Sequence, residues 1–87
     1  MKVEYKNSFI KNYRKRIHEN SPEDKKFIAR LKLFEINPQN PILRDHSLTG
    51  NFKGLRSFSV TGDIRVIYYI EGETAYFIDI GSHNQVY

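Results

Sequence analysis

The sequence contains no cysteine, which excludes both a disulfide framework and a thiolate-held zinc. No apolar run approaches the roughly 20 residues needed to cross a bilayer. The start, "MKVEYKNSF", lacks the apolar stretch of a secretory signal, so a cytoplasmic protein without membrane association is expected. No set of His, Asp or Glu residues has metal-ligand spacing, and P-loop, nucleophile-elbow and GxGxxG patterns are missing. "TGNFKG" has two glycines but no following helix to aim at a phosphate. Neither a metal nor a cofactor is expected. Repeats, low-complexity tracts and linkers are absent as well, so residues 1–87 read as a single domain, near the lower size limit for a self-sufficient core.

Aromatic residues compensate for that small size. They make up 14% of the chain, and each Phe or Tyr buries a large apolar area. The net charge of +4 is unevenly spread: residues 1–36 hold ten Lys/Arg against five acids, residues 37–87 four against five. The electropositive first half suits either a polyanion or an ordinary lysine-rich solvated surface.

"MKVEYK" alternates and predicts a short strand. Phe9, Tyr13 and Ile17 then recur every four residues, placing one stripe on a helix, with Asn7 or Ser8 as N-cap and Lys11, Arg14 and Lys15 facing away. "SPEDKKFIARLKLFEINP" predicts a second helix. Ser21 caps it, Pro22 takes the first position, Phe27, Ile28, Leu31 and Phe34 form the apolar face, and Asn37-Pro38 ends it. The short break between the two predicts an antiparallel helix hairpin. A long aperiodic connection over residues 37–54 holds His46. Three strands follow, "GLRSFSV", "IRVIYYI" and "AYFIDI", joined by turns at "TGD" and "EGET". Strict alternation would put Phe58, Val60, Ile64, Val66, Tyr68, Ile70, Tyr76, Ile78 and Ile80 on the core face, and Ser57, Ser59, Arg65 and Asp79 on the other. The expected class is α+β: an N-terminal strand and helix hairpin packed on one face of a small antiparallel sheet, β-α-α-β-β-β, with a short helical turn at the C-terminus.

A charged residue inside a central strand is costly unless it has a partner or a ligand. Arg65 therefore either pairs with Asp63, Asp79 or Asp45, or binds an anion. The second half of the chain also holds His46, Asp63, His83 and Tyr87. Two imidazoles, a carboxylate and a guanidinium suffice for one reaction that needs no metal, the cleavage of RNA by its own 2′-hydroxyl. A base takes the 2′-proton, an acid protonates the leaving 5′-oxygen, and a cation holds the crowded phosphorane.

The stretches "DHSLTGNFKGLR", "GDIRVIYYI" and "IGSHNQVY" resemble the second half of RelE/ParE-superfamily toxins, most closely the YafQ-like branch of type II toxin–antitoxin systems. The resemblance implies an mRNA interferase, a ribosome-dependent endoribonuclease that inhibits translation by cutting mRNA in the ribosomal A site. It also implies a cognate antitoxin that wraps the toxin, the complex binding operator DNA through that antitoxin. By position it implies catalytic roles for His46, Asp63, Arg65 and His83, and a nucleotide-seating role for Tyr87. Lys11, Arg14, Lys15, Lys53 and Arg56 are the candidate RNA-binding cations. Ser59 and Asp79 stand where YafQ-like relatives carry basic residues, and Ile64 stands where they carry an aromatic. Two other functions are compatible with the same fold: ParE-like inhibition of DNA gyrase, and an inactive module that only binds antitoxin.

Overall fold

A computed structural model describes all residues 1–87. In chain order the elements are β1 (Lys2–Tyr5), α1 (Asn7–Arg16), α2 (Pro22–Ile36), β2 (His46–Ser47), β3 (Arg56–Ser59), β4 (Arg65–Glu71), β5 (Thr74–Gly81) and α3 (His83–Val86), with short 3-10 turns at Pro41–Leu43 and Gly50–Phe52. No helix is long and apolar enough to cross a membrane. The class is the expected α+β with a closing helical turn, but the sheet has five strands in the order β1-β5-β4-β3-β2. It is mixed, because β1 pairs parallel with β5 while the other pairs are antiparallel.

The second helix starts as expected. Ser21 Oγ accepts from the Asp24 N–H at 3.1 Å, and Pro22 takes the first position, where its missing N–H costs nothing. The first helix does not. Its N-cap is Lys6, without a side-chain cap, and Ser8 Oγ instead donates to the Ile78 carbonyl at 2.6 Å. That bond ties α1 to β5 rather than to its own backbone. The two helices meet through rings: Phe27 lies 5.8 Å from Phe9 and 5.1 Å from Tyr13. Under them, Phe34, Phe58, Tyr68 and Phe77 form an aromatic core with centroid separations of 5.0–6.0 Å. Such pairs contribute about 0.5–1.5 kcal/mol each beyond area burial. This is how so short a chain assembles a core.

The strict alternation expected along β5 fails. Tyr68 faces Phe77 but Ile67 faces Asp79, so Ile78 is an extra residue, a β-bulge. The phase shifts there, and Ala75, Phe77 and Ile80 are buried in the core while Tyr76 and Ile78 are only half-buried. Tyr76 instead stacks on its cross-strand partner Tyr69 at 5.2 Å. Two other expected core positions are also outside: Ile28 is 46% exposed and Ile70 43%. Both lie at the margin of the helix pair and sheet, where the apolar stripe is wider than the surface available to cover it.

Ile67 and Val86 are buried outside the main cluster. Ile67 alternates with Val66 and Tyr68, so it points to the face opposite the helix pair, where α3 lies on β4 and β5. The C-terminal turn thus folds back onto the sheet face that the hairpin leaves uncovered.

Candidate active site

Three ends converge on that uncovered face. His46 stands opposite Ser57 in the β2–β3 pair, and Arg65 stands between Ser59 and Gly81 in the centre of the sheet. Cross-strand neighbours share a face, so His46 and Arg65 project to the same side. α3 then brings His83 and Tyr87 there.

Each side chain is held by local chemistry. Asp45 immediately precedes β2, and its side chain turns to the inside while His46 is exposed. The Asp45 side chain is 1% exposed and is gripped from inside. Arg56 Nε donates to its Oδ1 at 2.8 Å, Arg56 NH2 lies 2.7 Å away, and the Tyr68 hydroxyl donates to Oδ2. The carboxylate raises the Arg56 pKa, while burial followed by the hydrogen bond to Asp45 pushes the Tyr68 hydroxyl well above its ordinary value. This anchor fixes β2, and therefore His46, at the sheet edge. His46 Nδ1 lies 3.0 Å from the Arg44 carbonyl. A carbonyl only accepts, so Nδ1 carries the proton and Nε2 of the neutral ring keeps its lone pair.

At the other side, Gln85 Oε1 accepts from the Ser82 N–H at 2.7 Å and closes the α3 turn. Gly81 makes room for it. A Cβ there would lie 2.7 Å from Gln85 Oε1 and 2.8 Å from Arg16 NH1. Arg16 in turn bonds Asp79 Oδ1 at 3.0 Å and donates to the Ile80 carbonyl at 2.9 Å. The His83 and Tyr87 rings meet edge to face at 4.7 Å, and Tyr87 meets Phe52 at 5.6 Å.

Two cavities open on this arrangement. The smaller, about 430 Å³, is lined by His46, Arg65, His83 and Tyr87 together with Leu48, Thr49 and Phe52. The larger, about 840 Å³, runs from His46 and Arg65 past Ser59, Val60, Thr61 and Gly62 to Lys26, Arg30, Pro41, Ile42 and Arg44. His46 and Arg65 line both. Arg65 has none of the three acidic partners that its sequence context offers. Asp79 is taken by Arg16 and by Asn12 Nδ2 at 2.8 Å, and Asp45 by Arg56 and Tyr68. Asp63 is exposed in the turn after β3 and makes no ion pair. Arg65 Nε is buried without a hydrogen-bond partner, a donor set to meet an anion.

Four of the five candidate catalytic residues therefore line one cavity, and Asp63 lines neither. Among the candidate RNA-binding cations, Arg56 is paired with the buried Asp45 carboxylate. Lys11, Arg14, Lys15 and Lys53 are exposed but line neither cavity. The cations that do, Lys26, Arg30 and Arg44, were missed by sequence reasoning. Asp79, one of the three partners expected for Arg65, is instead bonded by Asn12 and Arg16 of α1. The aspartate of the "DH" pair was legible as a motif, but its role as a buried anchor was not. No three His, Asp or Glu side chains converge in a way that could hold a metal ion.

No functionally curated protein matches the chain with significance. Among solved structures, a copper-bound mutant toxin from Helicobacter pylori superposes with a TM-score of 0.78 at 24% identity, covering 100% of this chain and 99% of that one. YafQ from E. coli strain BL21(DE3) gives 0.77 at 24%, covering 98% and 96%. The E. coli DinJ–YafQ toxin–antitoxin complex gives 0.69 at 25%, covering 98% and 94%. The sequence profile described as "Bacterial toxin of type II toxin-antitoxin system, YafQ" matches residues 1–87. With its fold, its closing "GSH" turn and its whole length accounted for, the chain belongs to the YafQ family of bacterial toxins.

Proposed function

We propose that this toxin is a metal-independent endoribonuclease that cuts mRNA on the ribosome by in-line attack of the 2′-hydroxyl. The observation that carries the reading is Arg65, a guanidinium with an unpartnered buried Nε, on the floor that both cavities share with His46. His46 Nε2 takes the proton from the 2′-oxygen. The O2′–P bond forms and the P–O5′ bond breaks, leaving a 2′,3′-cyclic phosphate and a 5′-hydroxyl. His83 gives its proton to the departing O5′. Arg65 donates to the non-bridging oxygens as charge builds on phosphorus. The base is assigned to His46 rather than Asp63 because Asp63 lines neither cavity. Tyr87 holds the His83 ring by its edge and offers a face on which a nucleobase can stack. The partner that silences the toxin is a cognate antitoxin, by analogy with the E. coli DinJ–YafQ complex, and operator DNA is bound through that antitoxin.

His83→Ala tests the assignment. Losing one acid–base group costs about 10²–10⁴ in rate, so cleavage ends on translated mRNA should vanish and growth arrest on antitoxin-free expression should be lost. Growth arrest undiminished in a folded His83→Ala variant would sink the role of His83. Wild-type protein that blocks gyrase supercoiling while mRNA stays intact would replace the ribonuclease with a gyrase inhibitor.

A further inference from the structure

The larger cavity is not needed for the bond-breaking steps above, yet its wall is cationic. Lys26 and Arg30 are four residues apart on α2, one turn above the other on the same face. Arg44 comes from the chain before β2, and Arg65 from the shared floor. No Asp or Glu lines the groove, and neither Lys26, Arg30 nor Arg44 has a carboxylate partner, since the two ion pairs are Arg16–Asp79 and Arg56–Asp45. Arg44 adopts φ 51°, a left-handed conformation that bulky side chains rarely take. Backbone preference therefore does not account for an arginine there. Converging like charges without counter-charges repel one another and draw in an anion. Only two of the groove's eleven lining residues are hydrophobic, which does not suit an apolar small molecule.

We infer that this groove carries the ribose-phosphate backbone of the same RNA strand beyond the cleaved phosphodiester, with Lys26, Arg30 and Arg44 each facing a phosphate. The inference rests on the ribonuclease reading, since the groove joins the cleavage cavity only through His46 and Arg65. An extended polyanion is favoured because the cations come from three separate segments, α2, the chain before β2 and β4, and line a groove of about 840 Å³ that adjoins the cleavage cavity.

The test uses full-length protein silenced by His83→Ala, with fluorescence anisotropy on RNA oligonucleotides of two and ten nucleotides over a salt series. Each phosphate neutralised on a single strand adds about 0.7 to the slope of log affinity against log salt. Lys26→Gln with Arg30→Gln should lower the ten-nucleotide slope by about 1.4, and the dinucleotide slope by much less. Arg44→Gly removes a cation while suiting the left-handed backbone, and should lower the longer slope by about 0.7 with the melting temperature held. Slopes unchanged in both variants, with Arg65→Gln still weakening both oligonucleotides, would remove the groove from the RNA path and leave the ribonuclease reading in place. Binding indifferent to Arg65→Gln as well would overturn both. Loss of antitoxin affinity with RNA binding intact would overturn the inference and assign the groove to a protein partner.

Discussion

At the scale of single residues, the molecule sets a buried charge that is satisfied against one that is not. Asp45 is the satisfied extreme, buried between Arg56 and Tyr68. Replacing it by Asn leaves the guanidinium and the phenol facing a neutral amide, and should destabilise the fold by about 3 kcal/mol in urea denaturation. Tyr68→Phe removes only one charge-assisted hydrogen bond and should lose about 1.5–3 kcal/mol. Asp24 provides a pH-dependent counterpart. The Tyr13 hydroxyl and then the Asn20 N–H hold its carboxyl below the ordinary value of 3.8. A depressed carboxyl contributes stability that is complete above its unfolded value and is lost as pH falls through the folded one. Melting temperatures should therefore drop below about pH 3.8, and Tyr13→Phe should flatten that limb of the curve. His46, Arg65, His83 and Tyr87, which line one cavity, were legible as a group in the sequence through their motifs and the family resemblance. Lys26, Arg30 and Arg44 were not. On a helix a basic residue reads as solvated surface, and only the fold shows which of them face the groove.

At the scale of elements, α3 is the part on which the site depends most and the core least. Gly81 is where this can be tested. Its substitution by Ala would press a Cβ against Gln85 and Arg16, and overpacking of this kind costs about 1–3 kcal/mol. The strain falls on the four-residue α3 rather than on the aromatic core. Gly81→Ala should therefore remain folded by near-ultraviolet circular dichroism yet lose the ring contact between His83 and Tyr87 by NMR, and with it RNA cleavage. Both helices and the three main strands could be read from period and turn residues, and the capped start of α2 down to Ser21. The two-residue β2 could not, being too short to show a period. The bulge at Ile78 left no local mark either, because an extra residue in β5 is defined only by what stands opposite in β4. That one residue accounts for the misplaced Tyr76 and Ile78.

For the molecule as a whole, the α+β class and the helix pair on one sheet face followed from the order of elements, while the mixed sheet did not. β1 pairs with β5, whose partnered residues 74–77 lie some seventy positions further on, and no local pattern announces a partner at that distance. This pairing also fixes the order in which a new chain can mature. Translation delivers β1 first, but its sheet partner comes nearly last, and His83 and Tyr87 come after that. A ribosome that has made residues 1–73 holds a strand without its neighbour and a candidate site without His83 and Tyr87. On the ribonuclease reading, a nascent chain gains the full set of site residues only once β5 and α3 have both been made.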